Sequence, residues 1–129
     1  MKKFLLVCIS FFVMSSTNAE LSLEYKKGFV SLQEKFKLAL NEEMNVEAMQ
    51  NAKDVLTRQD EELLLQKQCN RKKAEVDMYA YIKADLKSTV ELLKDDAITQ
   101  EYLNEKYDAA FNAYQDSKRK IINSKFRCE

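Results

Sequence analysis

The chain of 129 residues has no proline, no histidine and no tryptophan, one glycine (Gly28) and three cysteines. Strands and tight hairpins take their turns from glycine and proline, so a β architecture has almost nothing to build with. Without histidine there is no imidazole base and no zinc site of the usual His/Cys kind. A single glycine also excludes phosphate-cradling loops and the GxGxxG and GxSxG patterns. What fills the chain instead is Lys, Glu, Leu, Ala and Gln, all good helix formers. The sequence therefore predicts an all-α protein. Its charged fraction of 33% is compatible with disorder, but the regular apolar spacing set out below argues for a packed fold.

The N-terminus reads "MKKFLLVCISFFVMSSTNA": Lys2 and Lys3, an apolar run of 11 residues from Phe4 to Met14, then small polar residues to Ala19. That is the three-part layout of a secretory signal peptide, and the run is too short for a bilayer span of roughly 20 residues. Cys8 follows the branched Val7 and is not read as a lipoprotein cysteine. The expectation is a signal peptide over 1–19, a single helical domain over 20–129, and a periplasmic or secreted location in a bacterial envelope. Losing Lys2 and Lys3 leaves 19 cations against 21 anions. That balance points away from a nucleic-acid partner and from stable membrane insertion after cleavage.

Tyr25, Phe29, Leu32, Phe36 and Leu40 recur at steps of three and four, which predicts a first helix over about 21–43. Gly28 lies inside it, either for a close backbone approach or simply tolerated at up to about 1 kcal/mol against Ala. "NEEMN" (41–45) is read as a break, with Asn45 capping the next helix. That helix carries Met49, Ala52, Leu56 and Leu63 on one face, whereas Leu65, Cys69, Val76, Tyr79, Leu86, Val90 and Leu93 form a second stripe facing nearly the opposite way. Two readings stay open: a break near Cys69–Asn70, or one long helix with a partner on each side. The cations Arg71 to Lys73 suit a helix C-terminus and favour the break. "DDAITQEYL" (95–103) is the clearest boundary, with Thr99 as N-cap and Ile98 and Leu103 as a hydrophobic staple, so a helix is expected from Gln100. Leu103, Tyr107, Ala110, Tyr114, Ile121 and Cys128 form its stripe.

Cys69 and Cys128 flank that turn symmetrically. Folding the chain back there brings both sulfurs to the same end of an antiparallel hairpin, and an oxidising compartment permits the bond. A Cys69–Cys128 disulfide is therefore expected in a three- or four-helix bundle. It would close a loop of about 60 residues and stabilise by about 4 kcal/mol in the chain-entropy view.

With both cysteines bonded there is no thiol nucleophile. Pairs such as Asp95–Asp96 and Glu42–Glu43 read as solvated charges rather than an acid–base couple. No enzyme activity, cofactor or metal is expected. What remains is surface. The hairpin register sets Arg71, Lys72 and Lys73 beside Phe126, Lys125 and Ser124, with Arg119 and Lys120 at the same end and acidic residues at the turn. These charges either complement helix termini or form a docking face for an acidic protein. Tyr81 and Tyr102 fall off the apolar stripes and are further interface candidates.

The segment "LNEKYDAAF" (103–111), followed by Cys128, resembles the helical lysozyme-inhibitor type of small exported bacterial protein over barely a quarter of the chain. The cysteine pattern before "LNxxY" and the tryptophan after it are absent, so membership does not follow. The resulting expectation is a non-enzymatic exported protein that binds another envelope or secreted protein as an inhibitor, immunity protein or adaptor. The alternative is a periplasmic carrier or chaperone that holds an apolar ligand or an unfolded chain between its helices.

Overall fold

A computed structural model describes residues 22–128. The signal-peptide segment lies outside the described residues. Within them the chain is all-helical: α1 Leu23–Asn51, α2 Arg58–Lys83, α3 Leu86–Leu93 and α4 Gln100–Ile121.

Side-chain caps set the helix starts. Ser22 accepts the Tyr25 N–H, Asp85 the Ser88 N–H and Thr99 the Tyr102 N–H. At α2 a reciprocal capping box links Thr57 and Asp60, with the Asp60 N–H 3.1 Å from Thr57 Oγ1 and the Thr57 N–H 3.0 Å from Asp60 Oδ2. Lys53 also bonds Asp60 at 2.7 Å. This cation and the Thr57 amide hold the Asp60 carboxyl down at about 2.

Two expected boundaries move. The chain does not break at "NEEMN": α1 runs through Asn45 to Asn51, because Glu43, Val46 and Gln50 are buried on its α2-facing side. The break falls at 52–57. Nor does the chain break at Cys69–Asn70. α2 is continuous through Cys69–Asn70 and packs against both α1 and α4, but the two stripes are not one helix's: Met49 lies on α1, Leu56 in the connection and only Leu63 on α2, while Leu86, Val90 and Leu93 lie on α3. A break unforeseen in the sequence comes at Ala84–Asp85, and α3 follows it.

The core joins Phe29 and Phe36 of α1, Val76, Met78, Tyr79 and Ile82 of α2, Leu92 and Leu93 of α3, and Ile98, Leu103 and Ala110 around the start of α4. α3 closes one end of this bundle. Its buried Thr89 hydroxyl lies 2.6 Å from the Ile82 carbonyl oxygen and 2.8 Å from the Tyr25 hydroxyl, tying α3 to the end of α2 and the start of α1.

The hairpin register also shifts. Lys72 Nζ bonds Ser117 Oγ at 2.8 Å, so Lys72 meets Ser117 rather than Lys125, a displacement of eight positions. α3 takes up chain that a simple turn would have given to the two arms. After Ile121 the chain leaves the helix and doubles back, and this brings Cys128 to Cys69 from a position beyond the end of α4.

Candidate functional site

The Sγ atoms of Cys69 and Cys128 are joined in a disulfide, with the Cα atoms 5.6 Å apart. Cys69 is fully buried in the middle of α2. Cys128 ends a short irregular tail, 122–128, that depends on few other ties. The Ser124 N–H donates to the Ile121 carbonyl at 3.0 Å, and Gln66 Nε2 donates to the Arg127 carbonyl at 2.8 Å. Arg127 folds over its own turn, donating to the Ser124 and Phe126 carbonyls.

The returning tail and the last turns of α4 enclose a groove of about 540 Å³, lined by Ile121, Ile122, Phe126 and Cys128 together with Gln115 and the cations Lys118, Arg119 and Arg127. Apolar side chains lining the groove beside three cations are suited to an acidic segment that also presents an apolar side chain. Arg119 bonds Asp116 at 2.8 Å, but its side chain keeps 76% of its exposure, so the head stays available.

The residues expected at a docking face do not form one surface. Arg71 turns inward between α1 and α2, where it pairs with Glu43 and, at 3.5 Å, with Glu75. Glu75 is only 3% exposed. Burial raises its carboxyl above the ordinary range, and Arg71 opposes that rise. Lys72 is half-buried against Ser117, and its ammonium is held below the usual lysine range by burial, then by Arg71 and Lys120. Lys73 pairs along the surface with Asp77 at 3.4 Å. Lys120 is exposed beside Arg119 on the last turn of α4.

Both tyrosines lie at the other end of the molecule. The Tyr81 ring stacks on Tyr25 with centroids 4.9 Å apart, and its hydroxyl donates to the Tyr25 carbonyl at 2.8 Å. Burial, and then Asp85, raise that hydroxyl above the usual tyrosine value. Tyr102 is half-buried against the core, with Lys106 Nζ 5.4 Å from its ring centre.

Of the residues singled out from the sequence, Arg119 lines the groove and Cys128 forms part of its wall. Lys118 and Arg127 join them, as do the apolar Ile122 and Phe126, which sequence reasoning left out of the site. The signal for them is the helix stop after Ile121: "NSK" interrupts the apolar spacing and turns Phe126 back toward α4.

Among the described residues no cluster of His, Cys, Asp or Glu is arranged to hold a metal ion, and no helix is long and apolar enough to cross a membrane. Comparison with known protein families, with curated proteins and with solved structures finds no match, so the local likeness of "LNEKYDAAF" to lysozyme inhibitors gains no support from them.

Proposed function

We propose that this is an exported, non-enzymatic helical protein that binds an acidic envelope or secreted protein through the groove between α4 and its returning tail, acting as an inhibitor, immunity protein or adaptor. The observation that carries this reading is the pairing of an apolar lining (Ile121, Ile122, Phe126) with Lys118, Arg119 and Arg127 at a place the disulfide holds in shape. An acidic partner gains encounter rate and orientation from the cations and contact area from the apolar lining. The carrier alternative is less well supported. The positions between the helices are filled by side chains such as Phe29, Tyr79, Ile82 and Leu103, all almost fully buried.

The test is affinity capture from a bacterial envelope extract with the oxidised protein as bait. It is repeated with Lys118→Glu, Arg119→Glu and Arg127→Glu combined, whose fold is checked by circular dichroism. The reading expects one acidic protein at fixed stoichiometry, lost with the triple variant. Capture that survives the reversal would remove the groove from the account. Arg71 is not a suitable site for such a probe. Reversing it would leave Glu43 and Glu75 facing a third carboxylate and cost about 3 kcal/mol of stability, visible as a drop in Tm before any change in binding.

A further inference from the structure

We propose that the end of the α1–α2 hairpin is a self-association surface: two copies pack these arms antiparallel about a two-fold axis, each filling the space that α4 leaves open in the other. This does not rest on the groove reading, because the groove lies on the tail side of α4.

The geometry starts from the level of α4. Ser117 stands opposite Lys72, so Ile121, one helical turn later, stands opposite about Gln68. α2 continues beyond that point to Arg58, roughly 15 Å at 1.5 Å per residue, with α1 along it and the returning tail touching only its inner end, at Gln66 and Cys69. Three pairings hold this arm together: Gln50 Nε2 to the Asp60 carbonyl at 2.6 Å, Lys53 to Asp60 at 2.7 Å, and Lys67 to Glu42 at 3.3 Å. A two-helix layer cannot bury its apolar residues on every side. Met44, Met49 and Val55 are 56%, 62% and 79% exposed, and Leu56 is exposed as well. Leu63, Leu64 and Leu65 are only half-buried.

Charge identifies what covers this face. Glu47, Asp54 and Glu61 are exposed on the arm and make no ion pair among the described residues. At its root, Lys120 is exposed and makes no ion pair among the described residues, and Lys72 bonds the neutral Ser117 hydroxyl. Lys120 stands level with Cys69, and Glu61 lies eight residues along α2 from that level, about 12 Å. Antiparallel arms with Leu65 at the axis therefore bring Glu61 of each copy to Lys120 of the other, and the two-fold makes both pairings at once. A second copy matches the arm in apolar surface and in the spacing of opposite charges.

The experiment is sedimentation equilibrium of the oxidised protein up to about 1 mM, made with and without residues 1–19. The expected result is a mass that rises toward twice the monomer, with association at least tenfold weaker in Leu65→Glu. Glu61→Lys and Lys120→Glu should each weaken association, and the double variant should regain it. The exposed charge pair keeps the test decisive if Leu65→Glu fails to fold. A monomer at every concentration would overturn the proposal, as would a dimer indifferent to the charge variants. A dimer lost when 1–19 is absent would make that segment the occupant, and would overturn it too.

Discussion

At Gly28 the hydrogen side chain is used. A Cβ there would meet the Tyr81 hydroxyl and come within 2.7 Å of its Cζ, so the close-approach reading of this glycine holds. Helix propensity alone favours Gly28→Ala by up to about 1 kcal/mol. The collision, and the loss of the Tyr81–Tyr25 hydrogen bond as the ring moves aside, outweigh this, and the substitution should destabilise by about 1–2 kcal/mol. In a Tyr81→Ala background the same change should become neutral or stabilising. Chemical denaturation of the four proteins in this cycle measures it. Glu75 makes a second case. One of its carboxyl oxygens has no hydrogen-bond partner among the described residues, and burial raises it above its ordinary 4.5. A carboxyl raised by folding holds its proton more tightly in the native state. Its contribution is therefore most favourable below the unfolded value and is lost as pH rises through the folded one. Glu75→Gln should raise Tm at pH 7 by a few degrees and give no gain near pH 4, read from thermal melts across that range. Asp60, held at about 2, works in the other direction: its contribution is present above its ordinary 3.8 and fades as pH falls toward 2. The sequence offered a close approach at Gly28 as one reading but not its neighbour: there Tyr81 is merely an aromatic off the stripe and Glu75 one of many acids.

Helix boundaries were legible where the signal is local. Thr99, with Ile98 before it and Leu103 after it, marks the start of α4 without help from the rest of the fold, and the helix begins at Gln100 as expected. Asn45 carried a similar-looking signal, yet tertiary contacts overrode it: the burial of Glu43, Val46 and Gln50 draws α1 on to Asn51. The true start of α2 was written in "TRQD" (57–60), a capping box with aspartate in the third position in place of the usual Glu or Gln. The phase change was a real signal whose cause was neither of the two readings: Met49 and Leu63 lie on different helices, and the break between them falls at 52–57. Lys94 closes α3 in the left-handed region, with φ +52°, the one non-glycine residue with positive φ among those described. A side chain there costs roughly 1 kcal/mol, so Lys94→Gly should stabilise by about 0.5 kcal/mol once the freer unfolded chain is counted. A fall in the denaturation midpoint would show that Lys94 holds the turn by something other than its backbone.

Across the whole molecule, the sequence led to the all-α class and the Cys69–Cys128 link, because cysteine positions survive a shifted register when the chain can double back. It did not lead to the surface. A register eight positions out places Lys72 and Arg71 among tail residues, whereas they are held by Ser117 and by Glu43 and Glu75. The disulfide end is consequently not uniformly basic: an acidic α1–α2 arm projects past the cationic end of α4. What organises this end is the cystine, which ties a seven-residue tail with few other bonds to the middle of α2. Hydrogen exchange on the oxidised and the reduced protein tests this most directly. On reduction, protection should fall in residues 115–128 while the amides of 70–82 in α2 keep theirs; equal protection of the tail and the last turns of α4 in both forms would contradict the account.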